Sequence, residues 1–503
     1  MIFTSAILII LICVGIIYLI TDYRKRLRFF QAGNALPGPK TQPILGNAYY
    51  FLQRNIDEFL NSITLLTKTY QSPFRFWLGN KLLIFINEPD QVKVILQNPS
   101  CLNKNVLYDV TRPWIGKGLI TAPAHIWFGH RKMLASSFNT NMLRGFCDIF
   151  VEQTSIFMDK LEHMVNDEVD LFQHLTMCTL DIIYGTSLGI KLGSQLNKSN
   201  TYVKAIIRVK EIIIQRVQNI FLFPDIIFNF TSLSREQQKY INFINSAAEK
   251  VIEQKENIRN NLFGNQNQSA KPSRKVFLDL LMEASDEGKK FTRKDIIDEI
   301  NTISFAGSDT TGTTLNFTMF ILANFPEIQQ KVYEELLEVY GTQDPKSAPV
   351  KFEDLQYMNY MERVIKETLR VFPIVPLIGR RLNEDLQIGE YTIPKGADFM
   401  ITILSLHRNE NYWPKPLIFN PDRFLPENMA NIHPYSYIPF SNGPRNCLGM
   451  RYAMISMKIF LATLLRTYIL KVDKKVKIED VELKMDVVLV PMNPLKIRIE
   501  KRK

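Results

Sequence analysis

Hydrophobic and polar positions alternate with different periods along the chain, and each change of period marks an element. Ile2 to Ile20 (IFTSAILIILICVGIIYLI) is uncharged and almost wholly apolar. As a helix it would span about 28 Å, close to the thickness of a bilayer's hydrocarbon core. Positive charge follows it, at Arg24, Lys25, Arg26 and Arg28. That order predicts an uncleaved transmembrane signal-anchor with the rest of the chain on the cytosolic side. The proline-rich QAGNALPGPKTQPILGN then reads as an extended spacer. From about Tyr49 helical periodicity dominates. Ile296, Ile300, Ile303, Gly307, Thr310 and Thr314 recur as one helical stripe, aliphatic at first and then small and polar. Met450 to Leu470 is a second apolar helical run. An extended pair is expected within Phe74 to Ile86, and two short strands around the Pro-Asn-Pro turn of LKMDVVLVPMNPLKIRIE. Polar, aperiodic Asn260–Lys275 and Gly341–Pro349 read as surface loops. The pattern divides into an anchor (1–22), a basic and proline-rich linker (23–48) and one large domain (49–503), mainly α with a minor β part.

Composition narrows the function. The net charge is +11, but outside the juxtamembrane cluster and the Lys501–Lys503 tail the basic residues are scattered. With no zinc-finger or aromatic-basic pattern, nucleic acid is excluded as a partner, and anionic lipid or an acidic protein accounts for the balance. The five cysteines, Cys13, Cys101, Cys147, Cys178 and Cys447, form no CxxC pair. Zinc ribbons and thioredoxin chemistry are thereby excluded, and a reducing compartment is expected. The six histidines show no HxxxH or HExxH spacing and are assigned no metal.

Three stretches carry candidate chemistry. In PFSNGPRNCLG, Pro439 to Gly449, turn-formers bend the chain just before Cys447 and a helix follows it. A cysteine near a helix N-terminus is favoured as thiolate, a soft ligand for iron. Gly449 lets backbone approach a flat group, and Arg445 supplies a cation. In YMNYMERVIKETLRVFP, Glu367 and Arg370 are three apart; alone, such a pair is usually an exposed helix contact worth about 0.2–0.5 kcal/mol. In SFAGSDTTGTT, glycine and threonine weaken a helix. By itself that segment serves equally as a small-residue helix contact, a threonine-rich turn or a functional site.

Together these stretches resemble the cytochromes P-450. Phe440, Gly443, Arg445, Cys447 and Gly449 match the family's heme-binding FxxGxRxCxG; Glu367 and Arg370 match ExxR; FNPDRF supplies Arg423 to complete a structural network. Ala306, Gly307, Asp309 and Thr310 match the oxygen-binding segment, Trp127 and Arg131 the WxxxR helix, and Arg380 a further propionate position. The resemblance implies the P-450 fold, heme b with Cys447 as axial iron ligand, and propionates held by Trp127, Arg131, Arg380 and Arg445. It also implies that Thr310 hydrogen-bonds dioxygen while Asp309 relays protons, and that the helix is weakened there to admit dioxygen and water.

The clan most resembled is that of the fatty-acid omega-hydroxylases (family four), insect members especially. Many of those carry glutamate where this chain has Ala306, a residue that can attach to a heme methyl. Alanine cannot, so the heme is expected to be noncovalent, and terminal hydroxylation of fatty acids is put in question. The resemblance implies a microsomal monooxygenase on the cytosolic face of the endoplasmic reticulum. It would take electrons from NADPH through a separate cytochrome P-450 reductase, with cytochrome b5 as a further donor, since no GxGxxG site stands out here. Its substrate would be an apolar small molecule (fatty acid, hormone, odorant or xenobiotic) that meets Tyr108–Thr121, the AGSDTT helix and Ile374–Ile378. The rivals are an isomerase or lyase acting on peroxides, a non-catalytic heme sensor and a non-heme membrane scaffold.

Overall fold

The computed structural model describes residues 20–21, 23–52, 58–197, 201–264, 275–286 and 291–502. The expected anchor therefore lies outside the described residues except at its end. Among those described, no helix is long and apolar enough to cross a membrane.

Helices dominate. Those that shape the site are α1 (Ala124–Leu134), α2 (Phe172–Ile183), α3 (Thr201–Gln218), α4 (Ser232–Gly264), α5 (Arg293–Asn324), α6 (Asn359–Val371) and α7 (Met450–Thr467). α5 is the central rod, 32 residues and so about 48 Å long. It starts at a capping box, in which the Thr292 side chain accepts from Asp295 N–H and the Asp295 carboxylate accepts from Thr292 N–H. Its glycines set the distance to α2. A Cβ on Gly307 would come within 2.6 Å of Ile183, and one on Gly312 within 3.2 Å of Thr176. The helix is continuous through Ala306–Thr310, so the expected weakening does not appear as a break: α5 is held by packing where its propensity is low.

A four-stranded sheet flanks the helices. Its strands are β1 (Phe74–Leu78), β2 (Lys81–Ile86), β3 (Leu377–Arg381) and β4 (Asp398–Thr402), in spatial order β1-β2-β4-β3. The β1–β2 pair is the predicted hairpin, with Phe74 opposite Phe85. The proline-rich stretch lies against this sheet instead of standing clear of it. Leu36 is buried, Arg75 N–H donates to Pro37 C=O, and Phe30 stacks on Trp77.

The C-terminal region holds three strands where two were expected. Leu483–Asp486 and Val488–Pro491 form a hairpin whose turn residue is Val487, at φ +59°. Ile497–Lys501 pairs with Tyr468–Lys471 and Glu168–Val169. α4 continues to Gly264, into the stretch read as loop, and the rest of that loop, 265–274, lies outside the described residues.

Candidate active site

Cys447 sits two residues before Gly449, the N-cap of α7. Its N–H donates to Phe440 C=O at 2.9 Å, which closes the bend. Gly443 makes that bend possible. Its φ is +74°, and a Cβ there would meet Leu96 C=O at 2.1 Å. Among the described cysteines Cys101, Cys147 and Cys178 are buried, and Cys447 alone is exposed. The accessible surface faces inward, and the protein mass around the thiol pushes its pKa up; Gly449 N–H and the Arg131 charge oppose this without reversing it. The helix terminus therefore does not make a thiolate unaided, and a bound metal ion would have to supply that shift.

Next to the loop, cations gather without anions. Arg445 donates to Leu102 C=O (2.6 Å), Ala122 C=O (2.9 Å) and Leu119 C=O (3.3 Å), and its guanidinium lies 4.9 Å from the Trp127 ring centre. Arg380 is fully buried and, among the described residues, its side chain donates only to the adjacent Gly379 C=O. Lys104 lies over the Tyr108 ring. Burial, reinforced by the neighbouring Arg380, pushes Arg445 down to about 9. Burial, with Arg380 and Arg445 beside it, takes Lys104 well below the usual lysine range. Among the described residues none of these three cations pairs with a carboxylate. Arg131, which the resemblance puts at a propionate, donates to Asn446 C=O and Oδ1, at 3.0 and 2.7 Å, and so braces the cysteine loop.

The middle of α5 supplies a second accessible face. From Asp298 to Asn324 every residue is buried except Ile303, Ala306, Gly307 and Thr310, which share one side of the helix. In the interior of a helical domain such a face fronts an internal space. Thr310 Oγ1 donates back to Ala306 C=O at 2.7 Å. Asp309 is turned away into a buried ion pair, with Lys210 Nζ of α3 at 3.0 and 3.1 Å from its two oxygens. Asp486 of the C-terminal hairpin stands 3.6 Å from the same ammonium. Attraction to both carboxylates raises the Lys210 pKa although burial opposes it.

Glu367 and Arg370 of α6 are fully buried and bidentate, at 2.6 and 2.8 Å. Arg370 also donates to His407 C=O and Pro416 C=O. Glu367 accepts from Asn420 N–H, and Arg423 stands 3.4 Å off. The network runs on toward the cysteine loop, because His407 Nε2 accepts from Ile438 N–H.

The residues fit a porphyrin. One accessible thiol faces inward, three unbalanced cations stand ready for two carboxylates, and no protein atom lies within 4 Å of a Cβ built on Gly449. Among the described residues no group of three His, Cys, Asp or Glu could hold a metal ion, so an ion at Cys447 must bring its other ligands with it. Sequence reasoning missed Lys104, Lys210, Asp486 and Asn446.

Comparisons with known proteins agree. Residues 36–499 match the family described as Cytochrome P450. The chain is 36% identical to Cytochrome P450 4c3 of Drosophila melanogaster, over 97% of this chain and 93% of that one. It is 34% identical to Cytochrome P450 4c21 of Blattella germanica (100% and 99%) and 35% identical to Cytochrome P450 4V2 of Mus musculus (98% and 94%). A match of this extent over a site of this chemistry places the chain in one family: it belongs to the cytochromes P450, the heme monooxygenases.

Proposed function

We propose that this monooxygenase binds heme b noncovalently through Cys447 Sγ and oxidises an apolar small molecule with electrons that NADPH delivers through a separate reductase. The observation that carries the reading is the accessible Cys447 thiol beside three cations that pair with no carboxylate among the described residues. Bound heme supplies the reductive cleavage of dioxygen, which thiolate ligation favours. Everything else is asked of the chain.

Lys104, Arg380 and Arg445 hold the two propionates, with Trp127 packed on Arg445. Arg131 keeps the cysteine loop in place through Asn446, while Phe440 and Gly449 form the walls on that side. On the opposite side Ala306 leaves room and Thr310 presents its hydroxyl. Asp309 holds or passes a proton only when its pair with Lys210 opens, so proton delivery is tied to the seating of α3 and the hairpin of Asp486. Glu367, Arg370 and Arg423 are structural. The substrate contacts lie along Tyr108–Thr121, the open face of α5 and Ile374–Ile378, where Val375 alone is not fully buried.

A tethered catalytic domain on the cytosolic face of the endoplasmic reticulum, served by the reductase and by cytochrome b5, completes the reading. The apolar run at 2–20 and its basic flank support it. So do the exposed Phe221, Ile226, Ile227 and Phe230, a patch suited to contact with lipid. Acid–organic extraction should remove the heme, since Ala306 offers no carboxylate for a covalent bond; heme that stays with the protein would contradict this. NADPH-dependent oxygen consumption with reductase present is expected, and peroxide rearrangement without it would point to the isomerase.

A further inference from the structure

Four side chains near the start of α5 grip the backbone of the loop before α1. Asp298 Oδ2 accepts from Lys117 N–H (2.9 Å) and Glu299 Oε2 from Leu119 N–H (3.0 Å). Asn301 Nδ2 donates to Trp114 C=O (3.3 Å) and Thr302 Oγ1 to Ile115 C=O (3.4 Å). Two glycines allow this close seating: a Cβ on Gly116 would fall 1.9 Å from Asp298, and one on Gly118 2.1 Å from Thr302 Oγ1.

Glu299 differs from the other three. It is fully buried, and its second oxygen, Oε1, lies 2.7 Å from Nδ1 of buried His130 on α1. Burial pushes the Glu299 pKa up, and the contacts with His130 and Leu119 N–H oppose that rise. The residue it holds also serves Arg445. Leu119 gives its N–H to Glu299 and its C=O to Arg445, while His130 shares α1 with Trp127, the ring packed on Arg445.

We infer that Glu299 is a positioning residue for Arg445: with His130 it fixes the backbone of Leu119, and through that residue it sets the guanidinium toward the carboxylate corner of the heme. The assignment rests on the heme-thiolate reading above. Asp298 provides the internal control, because it grips the same loop through Lys117, which is not among the residues whose carbonyls Arg445 binds.

The test is the rate at which ferric holoprotein releases heme to excess apomyoglobin, for wild type, Glu299→Ala, Asp298→Ala, Arg445→Ala and Glu299→Ala/Arg445→Ala. Removing a buried charged hydrogen-bond partner should speed release about tenfold in Glu299→Ala. Asp298→Ala should stay within about twofold of wild type, and Glu299→Ala should add less than about twofold once Arg445 is gone, as coupled residues do. Equal acceleration by Glu299→Ala and Asp298→Ala, no acceleration by Glu299→Ala, or full additivity with Arg445→Ala overturns the inference. If Glu299→Ala does not fold, Glu299→Gln faces the same criteria at about threefold, since its amide still accepts one of the two bonds. Wild type that takes up no thiolate-ligated heme would sink the functional reading instead, and the two failures are thereby distinct.

Discussion

Arg370 and Arg445 are both buried arginines; Arg445 lies in the cysteine loop, and Arg370 in the network that runs toward it. Arg370 has its counter-charge inside the chain: Glu367 grips it with two bonds, and two backbone carbonyls take up other N–H groups. Arg445 has three carbonyl acceptors but, among the described residues, no carboxylate, and Arg380 and Arg131 act on it as like charges. A cluster that balances its own charge serves the fold. A cluster that leaves cations unbalanced in the interior is built for an anion that arrives from outside, because burying like charges together costs energy that only such a partner offsets.

The comparison predicts opposite responses to substitution. Arg370→Ala leaves Glu367 buried with only Asn420 N–H and the more distant Arg423 to support its charge, a loss of about 3–5 kcal/mol. That is a large part of what holds a domain folded, so soluble yield and urea midpoint should both collapse. In the other cluster Arg380→Met removes a cation whose side chain, among the described residues, donates only to the adjacent Gly379 C=O. The heme-free protein should then be as stable as wild type or more so, while heme affinity measured by titration drops about tenfold, the worth of one charged hydrogen bond. Destabilisation of the heme-free protein by Arg380→Met would erase the distinction between the clusters.

A smaller effect comes from His407, whose carbonyl and ring both serve the balanced network. Burial, with Arg370 nearby, lowers its pKa from 6.5 to about 3. The folded state thus refuses a proton that the unfolded chain accepts. Its contribution is complete above pH 6.5 and is lost as pH falls toward 3, by about 1.4 kcal/mol per unit. Urea midpoints of wild type should fall through that window, and those of His407→Gln should fall less steeply. Equal slopes would remove His407 from the account.

Much of this site could be read from the chain because its motifs are local. Cys447 and its turn occupy eleven consecutive residues, Glu367 and Arg370 lie one helical turn apart, and the stripe on α5 follows helical spacing. What escaped depends on tertiary contact. Lys104 stands alone between two asparagines, and only the fold brings it to Arg380 and Arg445. Lys210 lies 99 residues from Asp309, in an α3 pattern where a lysine on an apolar face gives no sign of its partner. Asp298, Glu299, Asn301 and Thr302 were passed over because the aliphatic residues between them defined the period. The strands missed near the C-terminus have a similar cause. Val487 is a β-branched residue at a turn that normally calls for glycine or asparagine. The apolar run of Met450–Leu470 passes from helix into the strand Tyr468–Lys471 with no polar break. Asp309 was assigned correctly to its helix, but its capture by Lys210 could not be anticipated.

The most direct test is the reduced, carbon-monoxide difference spectrum of the heme-loaded protein beside that of Cys447→Ser. A strongly red-shifted Soret band in wild type, lost in the variant while the fold persists, is the predicted result. A histidine-like Soret position in folded, heme-loaded wild type, or a red-shifted band that survives in Cys447→Ser, would contradict the assignment of Cys447 as the iron ligand.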